Sequence, residues 1–591
     1  MGADDVAVDD SQGGACIGLS FGNSYSSIAY TVDDKAEVIA NEEGDRQIPS
    51  ILAYVAGEEF QGTQAKAQIV RNPRNTVACF RDYLGKPFTA IDPTPAHATA
   101  HPVQHDGGKT VAFVVQERVA AADDGPAPDK STLTVAEVAT RHLRRLKQSA
   151  SDFLGRDVNA AVVTVPSDYA DQQKSALEAS AHAAGIEVLQ FISEPIAALL
   201  AHDAKQQLQD DAARKEPQDK IVLIADLGGT RSDVAVVASR AGIYTTLATA
   251  HDYELGGSSL DKVLVEYAAK EFLKKHKNAT DPRTNERSLA KLSLEAEAVK
   301  KALSIGATAS FSIESLIDGI DFSLSVNRTR YELLANKVFM SFTRLIESAV
   351  QKADLDILDI DTILLSGGTS HTPKIASNLQ SHFPESTQII APSTTPNAVH
   401  PSELTARGAA IQASLISTFE KADIKDNTEA VVTVTPHLQH ALGLITGDDG
   451  FAVIVDAETP VPVRRTAQIA LKDGGDVLLR LAEGVREIKV TNEEKPETNG
   501  KKADDDDDDE DDDDDDDDDD EPEEVREKVW KAGKVLAEAG IRGVKKGGKV
   551  EVQVNVGPDL AITVVAREVG GKGGVRGVVE GGKAAANGAA S

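Results

Sequence analysis

The sequence predicts a two-lobed α/β protein with duplicated β/α lobes, followed by a shortened all-β module, and three observations carry that prediction. First, an apolar run meets a glycine-containing turn at residues 18–24, again at 226–230 and again at 365–371; glycine lets backbone N–H groups come close to a phosphate or a base. Second, the strand-turn-strand pattern of 220–239 echoes that of 17–31, which implies two copies of one lobe with a cleft between them. Third, past residue 430 the texture changes to short alternating strands.

In order along the chain, residues 1–14 form a polar tail, and 16–38 read as a hairpin followed by a further strand. Residues 92–130, with clustered Pro, His and Asp, read as irregular. The apolar period of 133–154 is that of an amphipathic helix. A buried-type strand at 160–165, a helix at 171–184 and a strand at 188–192 leading into a helix at Glu194 then alternate β with α. After a charged insertion at 206–219, a strand at 220–227 reaches the second glycine turn, and 233–239 returns antiparallel. Helices fill much of 260–351, a strand at 361–365 opens on Gly367 and Gly368, and the pattern ends near Ser414. A nucleotide-binding domain is therefore placed at 15–418 and a polar linker at 419–431.

Short strands follow at 431–434, 451–455, 465–471 and 477–481, and again at 549–556 and 560–566 beyond an acidic run. These place a truncated β-sandwich at 432–490 and 546–569. Between its halves lies an acidic, partly disordered insertion at 491–545 with a short helix at 525–539, and a flexible tail rich in Gly and Ala occupies 570–591.

Composition narrows the function classes. A chain of 591 residues exceeds one core. Its two cysteines, Cys16 and Cys79, cannot form a disulfide framework. The start lacks a basic region followed by an apolar run, and no uninterrupted apolar stretch nears 18 residues, so a cytoplasmic protein without membrane contact is expected. The net charge of −33 owes much to the unbroken acidic run from Asp504 to Glu521, which repels itself and reads as a solvated segment or a contact for a basic partner. Basic patches are short, as at 274–277, so direct nucleic-acid binding is not expected. Gly543 to Lys549 imitates a phosphate loop, but Val550 stands where a hydroxyl would be needed.

The ordered set at 18–26 (Gly-Leu-Ser-Phe-Gly-Asn-Ser-Tyr-Ser), 164–169 (Thr-Val-Pro-Ser-Asp-Tyr), 192–198 (Ile-Ser-Glu-Pro-Ile-Ala-Ala), 226–230 (Asp-Leu-Gly-Gly-Thr), 255–257 (Leu-Gly-Gly), 366–374 and 403–410 resembles the ATPase domain of the DnaK-type heat-shock chaperones of the seventy-kilodalton class. The resemblance covers about residues 15–416 and implies a two-lobed actin-like ATPase fold that takes ATP, with Mg²⁺. The implied nucleotide contacts are Gly22, Asn23, Ser24 and Tyr25 in the first turn, Asp226, Gly228, Gly229 and Thr230 in the second, and Gly257. Further contacts are Glu297, Lys300 and Ser304 on one helical face, with Lys301 beside them, and Gly367, Gly368, Thr369 and His371 over the nucleoside. Asp226 would hold the metal through water.

Departures from the family pattern fall on the hydrolytic positions. Ser20 stands in place of an aspartate, Asn23 and Ser24 in place of two threonines, and Arg81 in place of the lysine used in hydrolysis; Thr230-Arg231 replaces Gly-Thr, whereas Glu194, Asp226 and Asp233 are kept. Phosphoryl transfer to water depends on positioned water and groups that stabilise the loosened transition state. Serine brings no charge to a hydrated metal, and arginine's planar fork is not lysine's compact ammonium. Very slow or absent hydrolysis with retained binding is therefore expected, although Lys301 and His371 each replace an arginine.

A long helical lid, which the family would place after the β domain, has no counterpart in the remaining residues. Impaired hydrolytic positions with a lidless β module resemble the atypical fungal members of the family. That likeness implies a stable heterodimer with a zuotin-like J-domain protein, ribosome contact through that partner, and help to a second, active heat-shock chaperone. The alternative left open is an active ATP-hydrolysing foldase with divergent residues.

Overall fold

The structure, a computed structural model, describes residues 15–33, 35–91, 99–117, 130–209, 219–240, 242–417, 419, 437–438, 440–447, 450–457, 459–493, 523–571 and 574–579. The chain divides into two compact units, residues 1–434 and 435–591.

The first unit holds two sheets built to one plan. In one, Ala15–Phe21 pairs parallel with Val158–Val165 and antiparallel with Tyr25–Val32. In the other, Lys220–Leu227 pairs parallel with Thr362–Ser366 and antiparallel with Ser232–Arg240. Each central strand is apolar and buried along nearly its whole length, as strands covered on both faces must be. Separate cores form behind the two sheets, one around Phe21, Phe80, Phe113 and Leu143, the other around Leu223, Phe272, Phe339 and Leu365.

Helix ends follow from local chemistry. Thr134 and Glu137 form a reciprocal cap at the start of Val135–Leu154, and Gly155 ends that helix with φ +65°. The Leu404–Ile416 helix, rich in Ala, lies directly on both the Ala15–Phe21 strand and the Glu194–Gln209 helix. A Cβ at Gly408 would sit 1.8 Å from the Ala197 carbonyl, and one at Gly18 would sit 2.1 Å from the Ala410 nitrogen. Only glycine permits that approach.

Several expectations need correction. Residues 92–130 include the paired strands Pro102–His105 and Thr110–Val115. Helices do fill much of 260–351, and between them lies an unforeseen hairpin, Thr308–Ile317 with Ile320–Asn327, packed against the Glu286–Ile305 helix. Its short Ser and Thr alternation was masked by strong helices on both sides.

In the second unit, Phe451–Val455, Leu442–Ile445, Gly475–Glu493 and Glu523–Val544 form one sheet, in that order. A second sheet runs Val463–Ala470, Lys549–Val556, Ile562–Glu568, Gly574–Val579. The Lys, Glu and Ala content of 525–539 predicts a helix, yet this stretch lies within the Glu523–Val544 strand. It pairs along the whole of Gly475–Glu493, and Leu536, Ala537 and Ile541 reach the core; sheet burial overrides a weak intrinsic preference. The expected insertion at 491–545 is thus strand from 523 onward, and the Gly574–Val579 strand occupies part of the expected tail at 570–591. Where the two long strands pass Phe451, Gly484 leaves room for its ring: a Cβ there would lie 2.7 Å from the Phe451 ring and 3.1 Å from Trp530, so the rings would have to shift. The expected strand at 431–434 and the acidic run lie outside the described residues.

Candidate functional site

The glycine turns of the two lobes converge. Asn23 Nδ2 in the first turn donates to Thr230 Oγ1 in the second at 3.1 Å. Ser24 faces Gly229, where a Cβ would lie 2.4 Å from the Ser24 hydroxyl. Gly22 offers its carbonyl to Ser50 Oγ at 2.7 Å. The Gly257 amide donates to the Gly228 carbonyl at 3.0 Å, and Thr369 Oγ1 donates to the same carbonyl at 2.8 Å. Gly367, at φ +82°, passes so near Leu227 that a Cβ would sit 2.3 Å from its carbonyl oxygen; Gly368 follows it in the turn.

Above these turns a polar network spans the cleft. Glu297, on the Glu286–Ile305 helix, accepts from Tyr25 Oη of the opposite lobe, from Lys66 Nζ at 2.6 Å and from Lys301 Nζ at 2.7 Å. Burial pushes the Glu297 carboxyl up, but the two ammonium groups outweigh it and hold the group below the usual carboxylate range. Lys300 does not join this network. Its ammonium bonds Asp261 and the Gly257 carbonyl, while Ser304 Oγ bonds the Lys300 carbonyl. His371 packs on His400 with ring centroids 4.2 Å apart, near Ser402 Oγ; burial and His400 push its pKa down to about 4, so the ring is neutral at pH 7.

The floor of the cleft is a buried charge cluster. Arg81 is 4% exposed and bonds Glu194 at 3.1 Å, Asp82, and the Phe21 carbonyl. Arg231 makes a two-point contact with Asp233, its Nε 2.8 Å from Oδ2, and reaches Asp168 at 2.6 Å. Ser20 Oγ accepts from Thr405 Oγ1 at 3.1 Å. Of the three innermost carboxylates, Asp226 alone has no guanidinium bonded to it among the described residues. Burial and the neighbouring Asp233 push Asp226 up to about 6; burial, against the pull of Arg81, leaves Glu194 raised to about 8. Five acids, Asp82 and Asp168 included, thus face two guanidinium groups, and Asp226 and Glu194 keep protons toward the neutral range.

Those protons have a measurable consequence. Unfolded carboxylates lose their protons near pH 4, so between there and about 8 the folded chain binds more protons than the unfolded one. Its stability then falls as pH rises, by about 1.4 kcal/mol per pH unit for each proton held. Calorimetry should find the unfolding temperature of the first unit declining from about pH 4 to about pH 8, and Asp226→Asn should flatten the decline.

Two buried hydroxyls in this region, Thr164 Oγ1 and Tyr169 Oη, make no hydrogen bond among the described residues, and Thr164 is the ladder partner of Ser20. Unmet buried polar atoms beside converging glycine turns fit a polar ligand. The fit to a metal is narrower: among the described residues no three His, Cys, Asp or Glu side chains converge to hold one. Asp226 remains able to hold a hydrated Mg²⁺ through water if a nucleotide supplies the other oxygens.

Lys66, Asp168 and Tyr253 were not legible as members of this site. Arg231 was visible as a departure, and its place at the mouth of the Ser232–Arg240 strand, two residues before Asp233, was the available signal.

A duplicated β/α lobe whose glycine turns meet in a cleft, followed by a β-rich unit, defines a two-lobed ATPase-type protein of actin-like fold. The chain belongs to the Hsp70 family, whose description as Hsp70 protein matches residues 16–495. It is 43% identical to the Ribosome-associated complex subunit SSZ1 of Saccharomyces cerevisiae, covering 94% of this chain and 97% of that one. It is 41% identical to a heat shock protein 70 homolog of Schizosaccharomyces pombe over 96% of each chain. To the Heat shock 70 kDa protein 14 of Danio rerio it is 32% identical, over 76% of this chain and 84% of that one. Among the described residues no helix is long and apolar enough to cross a membrane.

Proposed function

We propose that this chain binds ATP without hydrolysing it and serves as a co-chaperone scaffold. It would pair stably with a zuotin-like J-domain protein, reach the ribosome through that partner, and help a second, active heat-shock chaperone to fold nascent polypeptides in the cytoplasm. The observation that carries the reading is that Arg81 and Arg231 are bonded to Glu194 and Asp233, the carboxylates that could position water or a metal. Ser20 adds no charge beside them. The similarity to a ribosome-associated complex subunit supports the assembly role.

In this reading Gly22 to Tyr25, Asp226, Gly228 to Thr230, Gly257, Glu297, Lys300, Lys301, Ser304, Gly367 to Thr369 and His371 hold the nucleotide. The bound ATP supplies negative charge between the turns and stabilises the closed lobes by mass action. Incubating the full chain with ATP, removing excess and following phosphate in a single turnover tests this. Retained ATP with no phosphate release is expected. An empty chain, or turnover that a J-domain accelerates, would defeat the reading; the latter would establish the active foldase.

A further inference from the structure

We propose that Asp168, Arg231 and Tyr253 form a latch between the lobes that holds the cleft closed with the chain's own atoms, so that closure does not wait for nucleotide. Asp168 follows the Val158–Val165 strand in one lobe; Arg231 and Tyr253 flank the Ser232–Arg240 and Ile243–Asp252 strands in the other. One guanidinium nitrogen of Arg231 lies 2.6 Å from Asp168 Oδ1 while the same group grips Asp233 in its own lobe. The second Asp168 oxygen accepts from Tyr253 Oη at 2.5 Å. Both cross-lobe bonds therefore land on one carboxylate.

The contact is built rather than incidental. Arg231 is only 8% exposed along its side chain and Asp168 20%, so solvent screens the pair far less than a surface bridge. Asp233 fixes the guanidinium plane before Asp168 meets it, which reduces the entropy lost in forming the cross-lobe bond. The Tyr253 ring lies 4.8 Å from the Arg231 guanidinium, and Lys86 of the opposite lobe approaches the same ring at 5.7 Å. The Asn23–Thr230 bond crosses between the lobes nearby. In a cleft closed by its ligand, the bridging charge comes and goes with that ligand; here a covalently tethered cation occupies the phosphate turn permanently.

The latch rests on the reading of this cleft as a nucleotide site, and the two can fail separately. Spin labels on Glu58→Cys and Lys277→Cys, both exposed and one in each lobe, report the lobe separation in the full chain; Cys16 and Cys79, their thiols pushed up to about 12 by burial, should stay unlabelled. Stripped of nucleotide, the otherwise wild-type chain should give a narrow distance distribution that ATP hardly changes. Asp168→Asn should broaden it when empty, narrow again with ATP, and release bound ATP about tenfold faster, the scale of a lost bond to a charged group. Asp168→Asn leaves the Arg231–Asp233 pair intact, and Tyr253→Phe removes only a hydroxyl, so both should fold; the latter should give an intermediate width. A nucleotide-free chain already as broad as Asp168→Asn, or an Asp168→Asn chain as narrow as the original, would overturn the latch. Failure to retain ATP with a narrow distribution would instead remove the nucleotide reading and leave the latch standing.

Discussion

A chain carrying Ser20→Asp, Arg81→Lys and Arg231→Thr together should release phosphate from bound ATP at least about 10²-fold faster than the unaltered chain, because each catalytic group of this kind is typically worth about 10²- to 10⁴-fold. Three obstacles are removed at once. The Ser20 change supplies a carboxylate beside Thr164 able to hold a hydrated metal. Lysine at 81 shortens the guanidinium fork to a single ammonium, which cannot hold Glu194, Asp82 and the Phe21 carbonyl together as Arg81 does. Threonine at 231 releases Asp233 for water or metal. Each change alone should do little, since the groups act as a unit. Single-turnover phosphate release with and without Mg²⁺ reads the result. An unchanged rate would mean that these substitutions are not what silences the cleft.

Glu297→Gln should weaken ATP retention by about ten- to a hundredfold, equivalent to about 1.5–3 kcal/mol, the range for a lost bond to a charged group in a part-buried network. The carboxylate gathers Lys66 and Tyr25 of one lobe and Lys301 of its own helix. Its neutral amide leaves two ammonium groups facing each other across the cleft with only Asp261 as a more distant counter-charge. Equilibrium titration with a fluorescent ATP analogue measures the loss. Lys301→Arg should cost far less, because the long cationic side chain and its i,i+4 relation to Glu297 persist. Equal losses for the two variants would show that Glu297 acts only through local packing.

The lobes were legible because their signals are local: a buried strand, a glycine turn and a returning strand each declare themselves within ten or so residues. The same holds for Glu194, Asp226 and Gly367, which end or follow such strands. What could not be read was pairing over long separations. Lys66 meets Glu297 and Arg231 meets Asp168 only because two lobes close, and no spacing in the chain encodes that. The Glu523–Val544 strand failed for a different reason. Its Lys, Glu and Ala favour a helix in isolation, and only the opposite strand, reached across the acidic run, supplies the backbone partners and apolar contact that make it extended.

Trp530, packed near Gly484, is the chain's single tryptophan. Its emission, excited at wavelengths that tyrosine does not absorb, therefore originates wholly from the second unit, whereas the chain's tyrosines all lie in the first. Fluorescence during melting follows the β-rich half, and a thermogram of the same sample records both halves. The difference between the two curves isolates the nucleotide-holding half without any label or truncation.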